Sequence, residues 1–403
     1  MLNDQLGLLN DHPFTRLAEL IADVTPKANI PPIAMSVGDP QDQPPAFAAE
    51  IVAANADKWN SYPPIAGTPE LRGAIKNWLD RRYGLAPGIV DPETQIAPVA
   101  GTREGLFVIA LLAVSRTKNG EAPIALMPNP FYQIYFAAAA MAGAKPVYLT
   151  ASEKTGFMPD LDAIPAETLR RTAIFYLCSP GNPQGAVAPL EYMKKALRLA
   201  REHDFLLVMD ECYAELYYGA VPPPGGLQAG VALGPGKNGH VLDNLVCFHT
   251  LSKRSSAAGM RSGFGVGAPD TIKALNRLRN FSCAGTPLPL QAASAALWNE
   301  ESHAQATRAA YARRFEAAKR HLGALPGFRA PEAGMFLWLD VGDGEEATRK
   351  LWREAAIKVL PGAYLTKPEP DGSNTGRRYI RVALVQPIDV CDAALARMAQ
   401  VLR

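Results

Sequence analysis

Between residues 95 and 285, short apolar runs alternate with amphipathic stretches of helical spacing. The runs are Gln95–Val99, Ile124–Met127, Pro146–Leu149, Ala173–Cys178, Phe205–Met209, Leu245–Phe248 and Gly263–Val266. This alternation predicts an α/β fold, a seven-stranded and mostly parallel sheet with helices on both faces. Ligands of such sheets bind outside the carboxyl ends of the strands, so the residues that end each run are the first functional candidates.

On either side the pattern changes. Phe14, Leu17, Leu20 and Ile21 are spaced for a helix within residues 13–24. A Pro-rich extended segment and the turn Ser36–Pro40 follow, residues 46–58 read as helix, and another helix enters at Thr68-Pro69. Beyond about residue 285 come long amphipathic helices, Gln291–Asn299 and Ala304–Leu325, then strand-like Met335–Val341 and Tyr379–Leu384. The expected division is a large domain over 46–285, a smaller α+β domain over 286–403, and an N-terminal segment, 1–45, that joins the small domain. Gly219–Asn244 is rich in Gly and Pro and is expected to be a long, exposed, mobile loop.

The strand ends carry distinct chemistry. The first run delivers Gly101-Thr102-Arg103, and a glycine with a hydroxyl at a helix start suits an anion, although Thr is also an ordinary cap. The second delivers Tyr132, which could stack on a planar ligand or simply pack in the core. The fourth ends in the rigid turn around Asn182, and the fifth in Asp210, with Tyr213 one helical turn on. A carboxylate directly after Phe205–Met209 is costly to bury without a cationic partner.

The sixth run ends at Thr250, Ser252 and Lys253, with Arg261 eight positions further on. An ordinary lysine titrates near ~10.4 and is unreactive at neutral pH, and a lone one at a strand end is most often a surface residue. Desolvation or a covalent bond to a carbonyl compound makes such an amine useful. Arg381 stands in an apolar strand context, where a guanidinium requires a carboxylate from a ligand or from an internal Asp or Glu. The GxGxG spacing of Gly263–Gly267 lacks the strand–turn–helix setting of a dinucleotide site.

Composition removes several classes of function. A net charge of +2 leaves no nucleic-acid footprint, and no apolar run is long enough to span a bilayer. The N-terminus lacks the basic and apolar regions of a signal peptide, and the five cysteines have no CxxC spacing. The expectation is a reduced, cytoplasmic protein without a metal.

Taken together, the strand-end residues specify a site for pyridoxal 5′-phosphate. Lys253 would hold the aldehyde covalently and Asp210 would pair with the ring nitrogen. Asn182 and Tyr213 would bond the ring oxygen, and Tyr132 would stack on the ring. Thr250, Ser252, Arg261 and the helix start at Gly101, Thr102 and Arg103 would hold the phosphate. Arg381 would grip a substrate carboxylate.

The ordered set GTREGL, PNPFYQIY, SPGNPQG, DECY, TLSKR…GMR and YIRVAL resembles the class I/II aminotransferases of fold type I over nearly the whole chain. The resemblance implies ping-pong transamination with small amino acids and keto acids, glutamate serving as donor. It also implies a homodimer with shared active sites, in which Tyr62 reaches the partner's phosphate and Gly38 lies beside the substrate carboxylate. Segments around Ser36, Asn129 and Lys253 are most similar to the N-succinyldiaminopimelate aminotransferases, a lysine-biosynthesis branch. A carbon–sulfur β-lyase of the same fold would use the same Lys253, Asp210 and Arg381.

Overall fold

The computed structural model describes residues 4–9 and 12–403. Each of the seven runs forms a strand: β1 (Ile96–Val99), β2 (Ile124–Asn129), β3 (Lys145–Thr150), β4 (Thr172–Cys178), β5 (Leu206–Asp210), β6 (Leu245–Thr250) and β7 (Gly263–Gly267). They make one sheet in the order β1-β7-β6-β5-β4-β2-β3, and β7 alone runs against its neighbours. Every residue of β1, β2, β4, β6 and β7 is buried. That double-sided burial is why these strands read as continuous apolar runs and not as alternating ones.

Helices cover both faces: α1 (Pro69–Tyr83), α2 (Thr102–Ala113), α3 (Gln133–Ala142), α4 (Leu190–Glu202), α5 (Gly226–Leu233) and α6 (Pro269–Ser282). Successive strand residues point to opposite faces, so each strand feeds two cores. Ile174, Tyr176, Val208, Val246 and Phe248 pack with Leu106, Tyr135 and Ile272 on one side. Phe175, Leu177, Leu207, Met209 and Leu245 pack with Trp78, Met193 and Leu227 on the other. Burial from both sides holds the strand ends in register, and the functional residues sit at those ends.

The C-terminal part is a three-stranded antiparallel sheet, β8 (Phe336–Asp340), β9 (Leu360–Pro361) and β10 (Tyr379–Ala383), in the order β9-β10-β8. Between the two sheets run α7 (Leu288–Asn299) and α8 (Ser302–Leu322), and α9 (Gly344–Ala355) and α10 (Ile388–Leu402) follow. Ile33–Ala34 pairs in parallel with Ile357–Lys358, and Ile33 and Met35 enter the C-terminal core beside Leu337, Leu351 and Leu395. This pairing ties the N-terminal segment to the C-terminal part.

Two details differ from the sequence reading. Helix α7 lies past the expected boundary at 285, yet it packs on α1 and on the helix Ala46–Ala54, against the large sheet. The stretch 219–244 is not one exposed loop, because α5 lies inside it with Gly226, Leu227, Ala229 and Gly230 buried. Its glycines let it sit close to its neighbours: a Cβ on Gly226 would stand 2.7 Å from Cys247 Sγ, and one on Gly230 2.5 Å from Val241 O. A Gly-rich helix of this kind has loop-like composition, which hid it. Among the described residues no helix is long and apolar enough to cross a membrane, and no cluster of His, Cys, Asp and Glu could hold a metal.

Candidate active site

A cleft of about 700 Å³ opens where the carboxyl ends of β2, β4, β5 and β6 approach β10. Of the residues expected from sequence, Gly38, Thr102, Arg103, Tyr132, Asn182, Asp210, Tyr213, Thr250, Ser252, Lys253, Arg261 and Arg381 line it. Gly101 stands just behind Arg261, and Tyr62 is fully exposed away from this cleft.

At the end of β6, Thr250 turns the chain into the short helix Leu251–Arg254, its Oγ1 accepting the Ser252 N–H at 3.1 Å. This turn presents Lys253, whose Nζ donates to the Gly38 carbonyl at 2.6 Å. Burial pulls its pKa from 10.5 down to about 8, and the nearby cations Arg381 and Arg261 act in the same direction. Cys212 and Asp39 oppose the shift. The amine is therefore far easier to deprotonate than a surface lysine.

Asp210 closes β5 and is only 3% exposed. Its Oδ2 accepts the Tyr135 hydroxyl at 2.5 Å and its Oδ1 accepts the Cys212 N–H at 3.3 Å. Burial raises its pKa while these hydrogen bonds oppose the rise. Among the described residues no lysine or arginine is in salt-bridge contact with it, and the nearby His249 is the basic group that favours its anionic form. Tyr213 is buried edge-on against Phe336, with ring centres 5.9 Å apart. The Tyr132 hydroxyl accepts from Arg103 Nε at 3.1 Å.

Arg261 adopts a left-handed conformation, φ 52°, which folds its side chain back over the start of α2. Its two terminal nitrogens donate to the Ala258 and Ala100 carbonyls at 2.8 and 3.1 Å. Gly101 has φ +85°, and a Cβ there would lie 2.1 Å from Arg261 Nη2. Only glycine fits this approach. The unsatisfied N–H groups at the start of α2, the guanidinium and the paired hydroxyls of Thr250 and Ser252, 2.9 Å apart, together form an anion cradle.

Arg381 lies mid-strand in β10, 6% exposed, its guanidinium 4.4 Å from the Phe336 ring centre. It donates to Asn182 Oδ1 at 3.2 Å and to the Ser36 carbonyl at 2.7 Å, and its Nε is buried without a partner. Burial lowers its pKa to about 10. No Asp or Glu pairs with it among the described residues, so the internal carboxylate that its sequence context allowed is not there. An anionic ligand is the remaining complement.

The protein groups thus leave four needs open: a cation for Asp210, a carboxylate for Arg381, an anion for the cradle, and an electrophile for the Lys253 amine. A pyridoxal 5′-phosphate ring and an amino acid supply all four, so the residues present fit that group. Tyr135, Ser36, Phe336 and Cys212 were not among the residues expected from sequence. Tyr135 carried a signal, since it follows Tyr132 by one helical turn within the same motif. Ser36 acts through its backbone and left none.

The sequence profile of class I and II aminotransferases matches residues 30–395. The LL-diaminopimelate aminotransferase of Dehalococcoides mccartyi is 29% identical over 99% of this chain and 98% of its own length. LL-diaminopimelate aminotransferase 2 of Trichormus variabilis is 30% identical over 91% of this chain and 89% of its own. An aminotransferase crystal structure from Neisseria meningitidis, 34% identical, superposes with a TM-score of 0.93 over the whole of both chains. The profile spans Lys253, Asp210 and Arg381, and the chain belongs to the class I and II aminotransferases, enzymes that depend on pyridoxal 5′-phosphate.

Proposed function

We propose that the protein transfers an amino group by a ping-pong mechanism between glutamate and a keto acid or semialdehyde of the diaminopimelate skeleton. The observation that carries this reading is the convergence of Lys253, Asp210 and Arg381 in one cleft, each lacking its complement. When bound, the cofactor supplies an aldehyde that takes up the amino group and a ring that accepts the electron pair released at the substrate's Cα.

The chain's own residues do the rest. Lys253, with its lowered pKa, takes the proton from Cα and returns it on the other side of the reaction. Asp210 would pair with the ring nitrogen and keep it protonated. Asn182 and Tyr213 would bond the ring oxygen, and Tyr132 would cover the ring. Thr250, Ser252, Arg261 and the start of α2 at Gly101, Thr102 and Arg103 would hold the phosphate. Arg381, oriented by Asn182, clamps the α-carboxylate next to Gly38. The cleft offers one such clamp, so donor and acceptor must use it in turn, which supports the ping-pong order.

Relatives named for LL-diaminopimelate support a substrate of that skeleton, and the segments that resemble the N-succinyl branch point to the same skeleton in acylated form. Those relatives support a role in lysine biosynthesis, and a cytoplasmic location is part of this reading. We further assign it as a homodimer: Tyr62, fully exposed in the protomer, reaches the phosphate of the partner's site. In this reading the described part of the 1–45 segment and residues 286–403 form the smaller domain, with α7 bridging to the large domain.

The test incubates the loaded enzyme singly with glutamate, LL-diaminopimelate and N-succinyl-LL-diaminopimelate. The expected result is keto-acid formation with loss of the cofactor's aldehyde absorbance for glutamate and for one diaminopimelate. No conversion with either diaminopimelate overturns the substrate assignment. Release of ammonia and pyruvate from a cysteine conjugate, without amination of the cofactor, identifies a β-lyase instead.

A further inference from the structure

The Tyr135 hydroxyl is fully buried and donates to Asp210 Oδ2 at 2.5 Å. Its ring is held on both sides: it stacks on Tyr176, with centres 4.7 Å apart and planes 9° apart, and meets Tyr132 edge-on at 5.6 Å. The Tyr176 hydroxyl is occupied elsewhere, donating to the Leu106 carbonyl at 2.9 Å. The other Asp210 oxygen accepts the Cys212 N–H. Both carboxylate oxygens thus accept from the protein, Oδ2 from Tyr135 and Oδ1 from the Cys212 N–H, with the Cys212 side chain adding to the support, so the group is held before any ligand binds.

We infer that Tyr135 is a positioning residue for Asp210: its phenol fixes the carboxylate's orientation and favours its anionic form, so that a proton shared with the cofactor ring stays on the ring nitrogen. The inference rests on the pairing of Asp210 with the ring nitrogen proposed above. A hydrogen bond donated to a carboxylate stabilises the charged form over the protonated one. A tyrosine locked in a stack does this without the reorientation that a mobile water would need. Other titratable groups near Asp210 are Tyr132, Tyr213, Cys178, Cys212 and His249. Of the tyrosines, Tyr135 alone is hydrogen-bonded to the carboxylate among the described residues.

The test loads the enzyme with cofactor labelled with 15N in the ring and reads the nitrogen chemical shift, together with cofactor affinity and steady-state kinetics. Tyr135→Phe is expected to move the shift toward the unprotonated nitrogen and to lower kcat about tenfold with the donor KM little changed, the size of one hydrogen bond to a charged group. Site-specific 3-fluorotyrosine at 135, a stronger donor in the same ring, is expected to move the shift the opposite way, and it serves if Tyr135→Phe does not fold. Tyr176→Phe, which removes a neighbouring hydroxyl that does not touch Asp210, is expected to leave the shift unchanged.

An unchanged shift in Tyr135→Phe, or an equal change in Tyr176→Phe, overturns the role of Tyr135. Asp210→Asn reports separately on the pairing underneath: a wild-type nitrogen shift in that variant removes the assignment of Asp210 itself.

Discussion

The guanidinium of Arg381 stands over the ring of Phe336, 4.4 Å from its centre, in a strand interior where no acid pairs with it among the described residues. The aromatic face and two carbonyl-type oxygens from Ser36 and Asn182 hold the cation in place, but they do not neutralise it. This is an expensive arrangement for an unliganded protein and a favourable one for binding a carboxylate.

Replacing Arg381 with Leu is therefore expected to separate function from stability. The KM for α-carboxylate donors should rise by about a hundredfold, on the order of one bidentate charged pair. Thermal stability of the cofactor-free protein should hold or increase, because an uncompensated buried charge is removed. Donor constants that match the wild type would refute the clamp.

Lys253 gives a pH dependence with a definite sign. Its pKa in the folded protein is about 8 against an ordinary 10.5, because burial disfavours the ammonium. Below pH 8 it is protonated in both states, and the cofactor-free protein carries the full cost of a buried cation. Between about 8 and 10.5 only the unfolded chain holds the proton, so stability climbs with pH. Above 10.5 the amine is neutral in both states. Cofactor-free Lys253→Met should thus be more stable than wild type at pH 7, and the gap should close by pH 10.5. A gap that stays constant across denaturant melts in this range argues against the shift. With cofactor supplied, Lys253→Ala should bind it non-covalently and lose turnover.

Gly101→Ala should act on the phosphate end of the cleft. The new Cβ would meet Arg261 at 2.1 Å on a backbone with φ +85°, so the guanidinium must leave its place over α2. Cofactor affinity should fall about tenfold or more while the fold is retained, as fluorescence titration of the cofactor-free protein would show. Equal affinity would mean that Arg261 does not need its present position.

The proposed shared-site dimer predicts complementation. Lys253→Ala and Tyr62→Ala homodimers should each be impaired. Mixing them under exchange conditions should restore activity, because one site of the mixed dimer has an intact Lys253 and receives an intact Tyr62. If native mass spectrometry shows exchange and activity does not rise, the trans role of Tyr62 is wrong.

Much of this was legible in the chain because doubly buried strands leave continuous apolar runs that end abruptly in polar residues. Leu206–Asp210 and Leu245–Thr250 are such cases: Asp210 directly follows the last apolar residue of its strand, and Lys253 comes three residues after the end of its own. Relationships between distant strands and helices were not legible. Periodicity gives the face on which Tyr135 lies but not that it meets Asp210, 75 positions away. Arg381 needed a carboxylate on electrostatic grounds, but only the fold shows that no internal acid comes near. The helix inside 219–244 was concealed because the glycines that let it pack closely are also the residues of loops.

Arg381 touches Asn182 through its side chain and Ser36 through its backbone, and these residues belong to the C-terminal sheet, the turn that follows β4 of the central sheet, and the N-terminal segment. A carboxylate seated on that guanidinium would fasten all three regions at one knot. Each catalytic cycle would then tie and untie the same knot twice, once for the incoming amine and once for its acceptor, and the rate at which it loosens sets an upper bound on turnover.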